Sequence, residues 1–159
     1  MVTEAALLCS GDSCPPNDPE YDPDFVATKT YYIAKVYAAS IYEGFQATIW
    51  YDLRTNWENS ALLKKDLSYT DAFWAFQTAK NSLRDSNSFS KISESGIVGY
   101  KFDRGDRIIW LVWSLDGSMH VFSLPSEPLA AWDVLNNTVS VTGSTMLVGM
   151  EPIYLEWLP

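Results

Sequence analysis

Glu4, Trp50, Tyr51 and Trp57 have the types and spacing to do chemistry. Glu4 stands on a short apolar segment, residues 2–8, that reads as a strand. In parallel α/β sheets and barrels the reactive groups gather at the C-terminal ends of strands, which is where a catalytic carboxylate belongs. Trp50 and Tyr51 close a second apolar segment, residues 45–51, and share a rim with Glu4 if the two strands are parallel neighbours. An exposed indole there offers a flat apolar platform for the C–H face of a sugar ring. Core packing is the commoner fate of a strand tryptophan, and it stays open as the other reading. Trp57, in the loop that follows, offers the same surface as Trp50.

The elements that must position these residues alternate strand and helix. After residues 2–8 comes a loop, 9–23, whose four prolines forbid regular structure. From Asp24 the period turns helical, with Val26, Ile33, Tyr37 and Ile41 on one face, Ala34 and Ala38 beside them, and Gly44 as the stop. Residues 45–51 are apolar almost throughout, as in a parallel strand covered on both faces. Thr70 then caps a second helix with the stripe Ala72, Phe76, Ala79 and Leu83. Two such strand–helix units leave sheet edges that they cannot bury alone.

A polar stretch at 85–91 marks a boundary, so the chain divides into 1–88 and 89–159. Beyond it the period becomes two. Val98, Tyr100 and Phe102 alternate with Lys101 and Asp103; Arg104-Gly105-Asp106 turns the chain and 108–113 runs back. Further strands are expected at 119–124, 131–135, 138–142, 145–148 and 153–157. Seven short strands at this spacing predict a small antiparallel sandwich.

Composition removes several classes. The net charge of −9 is spread evenly, with 12 acids against 7 bases up to residue 88 and 8 against 4 after it. That balance offers no basic stripe for nucleic acid. No apolar run is long enough to span a membrane, and residues 1–8 lack the pattern of a signal peptide. Cys9 and Cys14 could form a local disulfide or stay as free thiols, and alone they are too small a ligand set for zinc. No cofactor or metal site is expected. Asp18, Glu20, Asp22 and Asp24 lack the glycine and the terminal glutamate of a calcium-binding helix–loop–helix, so they read as a solvated acidic loop. Gly11-Asp12-Ser13 has the look of an esterase nucleophile. Its base would have to be His120, the only histidine, which falls in a strand of the other half with Gly117 where a partner acid should be. Asn136-Asn137-Thr138 is a glycosylation sequon in an expected hairpin turn.

With those residues laid out, the chain resembles the C-terminal end of a retaining glycoside hydrolase, of the clan whose barrels carry the acid/base on the fourth strand and the nucleophile on the seventh. The family 39-like group, with a β-sandwich after the barrel, is the one it resembles. Val2-Thr3-Glu4 is similar to the seventh strand with its Thr-Glu nucleophile, and Ala47-Thr48-Ile49-Trp50-Tyr51 to the eighth with its sugar-facing tryptophan. Thr70-Asp71-Ala72-Phe73-Trp74-Ala75 sits at the start of the eighth helix, without the usual leading proline. Val98-Gly99-Tyr100-Lys101-Phe102 and residues 108–114 resemble the first strands of the trailing sandwich, and residues 148–156 its last.

The resemblance implies the last two β/α units of a (β/α)8 barrel followed by an antiparallel β-sandwich. It implies a carbohydrate substrate, Glu4 as the nucleophile of a double displacement, and a second carboxyl ~5 Å away as acid/base. No residue of this chain matches that acid/base, so the chain alone is expected to be inactive and to need the N-terminal part of the barrel as its partner. For the parent enzyme the resemblance favours an extracellular place. The rival expectation is a non-catalytic carbohydrate-binding or structural β-sandwich module.

Overall fold

The computed structural model describes residues 4–9, 23–54, 59–94 and 96–159. The chain forms two compact units, Met1–Gln77 and Thr78–Pro159. Their boundary falls inside the second helix, eleven residues before the change of period at 88, because the last turn of that helix packs with the strands that follow.

In the first unit, helix α1 (Pro23–Tyr42) starts on a proline, where a missing N–H costs nothing, with Asp24 in its first turn against the positive end of the helix dipole. It stops where Gly44 adopts φ +73°. There the N–H groups of Gly44 and Phe45 return to the carbonyls of Ile41 and Ser40, at 3.0 and 2.9 Å. Those two bonds satisfy carbonyls that the helix end leaves over, and glycine takes the left-handed turn without strain. Ile33, Ala34 and Ala38 are fully buried, and the Tyr37 ring meets Phe76 edge-on at 5.3 Å. Helix α2 (Asp71–Leu83) is capped by Thr70, whose hydroxyl oxygen accepts the Phe73 N–H at 3.4 Å and whose hydroxyl proton goes to the Leu62 carbonyl at 2.7 Å.

The two strands expected in this unit are reduced to one parallel bridge, Ala5 with Trp50. The Ala5 N–H donates to the Ile49 carbonyl at 2.8 Å and the Tyr51 N–H to the Ala5 carbonyl at 2.9 Å. The two segments are therefore parallel neighbours. Burial on both faces, expected from the apolar run at 45–51, is not found. Trp50 and Asp52 are buried, whereas Ile49, Tyr51 and Leu53 are each at least half exposed. One face is covered by α1 and by the segment after residue 59, and nothing among the described residues covers the other.

Among the described residues the second unit has seven strands, all paired antiparallel: β1 (Ser88–Glu94), β2 (Ile97–Asp103), β3 (Ile108–Ser114), β4 (His120–Ser123), β5 (Ala130–Trp132), β6 (Thr145–Val148) and β7 (Ile153–Trp157). They make a five-stranded sheet, β1-β2-β3-β7-β5, and a two-stranded one, β4-β6. Ile97, Val112, Leu155 and Trp157 of the larger sheet form one core with Phe122 and Val148 of the smaller. On the other face of the larger sheet Phe102, Leu111 and Tyr154 are buried. The last turn of α2 lies at that face: Ser82 accepts the Trp132 indole N–H at 3.3 Å, and Arg104 reaches the carbonyls of Asn81 and Ser82.

Two strands depart from the expectation. β1 lies in the polar stretch read as a boundary; it is an edge strand paired on one side only, where exposed polar residues such as Ser90 and Lys91 are favoured. Residues 138–142 are not a strand. Val139 and Val141 turn into the core, but the backbone is tied only by the Trp132–Thr138 bridge and the Val139 N–H to the Ala131 carbonyl.

Candidate functional site

The parallel bridge fixes which side chains share a side. Successive residues of extended chain alternate. Ala5 and Trp50, paired in register, both face the covered side, at 7% exposure each. Their neighbours Glu4, Ile49 and Tyr51 fall on the other side and are exposed. The structure thus brings Glu4 and Tyr51 to one uncovered face, a carboxylate with a phenol and the apolar Ile49 beside it.

Trp50 does not join them. Instead of an exposed platform it is a buried anchor: its indole N–H donates to the Ser60 carbonyl at 2.9 Å, and its ring meets Tyr32 of α1 edge-on at 6.2 Å. The physical reason is the register, which turns position 50 toward the helix and position 51 away from it. Trp57 lies outside the described residues.

The chain after Trp50 is held by buried polar groups. Ser60 donates its hydroxyl to the Asp52 carboxylate at 3.2 Å. Lys29, fully buried on α1, donates from Nζ to the carbonyls of Asn59 at 2.8 Å and Ala61 at 3.2 Å. These bonds, with that of the Trp50 indole, fix residues 59–61 against the segment that carries Tyr51. The sequence reading missed Lys29. Its signal was there: position 29 lies on the same helix face as Val26 and Ile33, where an apolar residue belongs.

The other motifs resolve as structure. Cys9 is disulfide-bonded. Cys14, Ser13 and three of the four loop acids lie outside the described residues, and the fourth, Asp24, is in α1. No cluster of three or more His, Cys, Asp or Glu that could hold a metal occurs among the described residues. No described helix is long and apolar enough to cross a membrane. His120 pairs with Asp116, four residues before it, at 2.8 Å. The same Asp116 oxygen also accepts the Ser114 hydroxyl and the Ser118 N–H, at 2.9 Å each. These bonds, that from His120 foremost, hold the Asp116 carboxyl well below the usual carboxylate range. They brace the turn between β3 and β4. The sequon residue Asn136, at φ +67°, is exposed in the turn between Trp132 and Thr138, which Asp133 braces through the N–H groups of Leu135 and Asn137.

No protein-family profile matches the sequence, and no curated protein does. Solved structures do match. A family 39 glycoside hydrolase from the gut symbiont Bacteroides cellulosilyticus WH2 aligns over 79% of this chain and 29% of its own, at 17% identity and a TM-score of 0.67. The fold of this chain is similar to part of the fold of that hydrolase. A family 30 endoxylanase from Clostridium papyrosolvens C71 aligns over the whole chain and 41% of its own, at 9% identity and a TM-score of 0.60. A conserved exported protein from Bacteroides fragilis aligns over 97% of this chain and 38% of its own, at 11% identity and 0.62. The chain thus spans 29% and 41% of the length of the two hydrolases it resembles.

Proposed function

We propose that this chain is the C-terminal part of a retaining glycoside hydrolase, made of the last two β/α units of its barrel and a trailing β-sandwich. Glu4 is the nucleophile and Tyr51 a substrate contact on the same face. In this reading Glu4 attacks the anomeric carbon while a second carboxyl protonates the leaving oxygen; that carboxyl then takes a proton from water, which releases the sugar from Glu4 with net retention. The observation that carries the proposal is the parallel Ala5–Trp50 bridge, which puts Glu4 and Tyr51 on one uncovered side of a pair of parallel segments. The uncovered face, with Ile49, Tyr51 and Leu53 exposed, suits the remaining strands of a barrel as its partner. Trp57 belongs with the substrate contacts in this proposal; Trp50 serves instead as the anchor of residues 59–61.

The acid/base has no candidate in this chain, so the isolated chain is inactive. The test is hydrolysis of aryl β-xylosides and aryl β-glucosides. The isolated chain should give no turnover above buffer. Joined to its upstream reading frame, it should turn over, should lose that turnover in Glu4→Gln, and should be labelled at Glu4 by a 2-deoxy-2-fluoro glycosyl fluoride, read by peptide mass spectrometry. Turnover by the isolated chain that Glu4→Gln abolishes would refute the inactivity; a label on another residue would refute the role of Glu4.

A further inference from the structure

An open pocket of about 490 Å³ lies along the outer edge of β5, the last strand of the five-stranded sheet. On its far side the chain returns after the 133–137 turn. The Val139 N–H to the Ala131 carbonyl, at 2.9 Å, and the Trp132–Thr138 bridge tie the two segments at one end. At the other end the Glu127 carboxylate accepts the Gly143 N–H at 3.0 Å. Between these ties the cavity lies against residues 128–131 on one side and 139–142 on the other.

The lining is chemically mixed. Along 138–142 the side chains alternate: Thr138, Ser140 and Thr142 are exposed, while Val139 and Val141 pack on the core, and all five line the pocket, with Leu129 and Ala130 adding apolar surface across from them. Trp132 lines it too, and its indole is fixed twice, by a parallel stack on Tyr154 at 5.8 Å and by its N–H to the Ser82 hydroxyl. Asn136 and Glu127 complete the polar part. No lysine or arginine lines the cavity, so it is not built for an anion. A fixed indole with a row of hydroxyls, an amide and a carboxylate answers the two faces of a sugar, apolar C–H groups and a ring of hydroxyls.

We propose that this pocket is a saccharide-binding subsite built into the sandwich. It shares with the proposed function the class of ligand but none of its residues. A hydrolase carrying such a site would hold one stretch of a glycan on the sandwich while another is cut.

The test is affinity electrophoresis of the full chain in native gels cast with soluble xylan and, in parallel, with amylose. Retardation is expected in at least one, with Trp132→Ala weakening the apparent affinity about tenfold or more. Because Trp132 also supports Tyr154, a second variant is needed that leaves the core alone. Ser140→Trp fills the cavity from an exposed position and should abolish retardation with an unchanged circular dichroism spectrum and melting temperature. Migration of the wild-type chain unretarded in both gels, or full retardation of Ser140→Trp, overturns the proposal. Retardation kept by Ser140→Trp but lost in Tyr51→Ala would move the binding to the Glu4 face, leaving the proposed function standing and this inference refuted.

Discussion

Removing one oxygen from the centre of the second unit should make it more stable. Tyr154 sits on β7 with no exposed surface, opposite Leu111 of β3 and stacked on Trp132 of β5. Its hydroxyl has no hydrogen-bond partner among the described residues. A hydroxyl buried without a partner costs about 1–3 kcal/mol. Tyr154→Phe removes that cost and leaves a gap smaller than a methyl group, for a net gain of about 1 kcal/mol. In a unit of this size that raises the melting temperature by roughly 4–8 °C. The same burial pushes the Tyr154 phenol far up from its ordinary value of 10.0. Above pH 10 the unfolded chain therefore releases a proton that the folded chain keeps, so stability falls as pH rises. Tyr154→Phe should flatten that alkaline loss. The assay is thermal unfolding of the full chain by near-ultraviolet circular dichroism, at pH 7 and from pH 9 to 11. An unchanged or lowered melting temperature at pH 7 would show that the hydroxyl is satisfied after all.

Three further outcomes are expected. Gly99 lies in β2 opposite Val112, and a Cβ there would run into the backbone carbonyl of Leu111, so Gly99→Ala should cost about 1–3 kcal/mol, read as a lower urea midpoint; an unmoved midpoint would refute the close approach. Lys29→Met strips two buried carbonyls of their donor, at about 2–4 kcal/mol, and should speed hydrogen exchange at the Leu62 and Leu63 amides, which bond the carbonyls of Asp52 and Leu53; unaltered exchange would mean that Lys29 does not hold this segment. Asp116, its carboxyl held low chiefly by His120, contributes stability that is present above the ordinary 3.8 and lost as pH falls below it; Asp116→Asn should remove that acid-side loss, and an identical profile from pH 4 to 2 would exclude the contribution.

Much of the fold was legible because local chemistry wrote it. Gly44 stops α1, Thr70 caps α2, and the turns at Gly105 and Gly117, both with positive φ, separate β2 from β3 and β3 from β4; the start of α1 falls on Pro23, one residue inside the segment read as loop. β1 was hidden because an edge strand needs no apolar alternation, and its ladder to β2 is a property of the pair rather than of its own residues. The segment 138–142 misled for the opposite reason: it alternates perfectly, yet alternation records only which side chains face a core, and the backbone there meets β5 at one bridge instead of along a ladder.

For the site, the sequence by itself determined the residue types and their order: a carboxylate near one apolar segment, a tryptophan and a tyrosine at the end of the next, and a lysine out of place on a helix stripe. Only tertiary structure decided which of them work together. A strand turns each side chain opposite to the last, so pairing Ala5 with Trp50 sent Trp50 inward to hold Ser60 and left Glu4 and Tyr51 together on the open face. A register shifted by one residue would have exchanged those roles, and no local signal in 45–51 distinguishes the two. Lys29 follows the same logic, since its burial depends on carbonyls thirty residues away that reach it only in the folded chain.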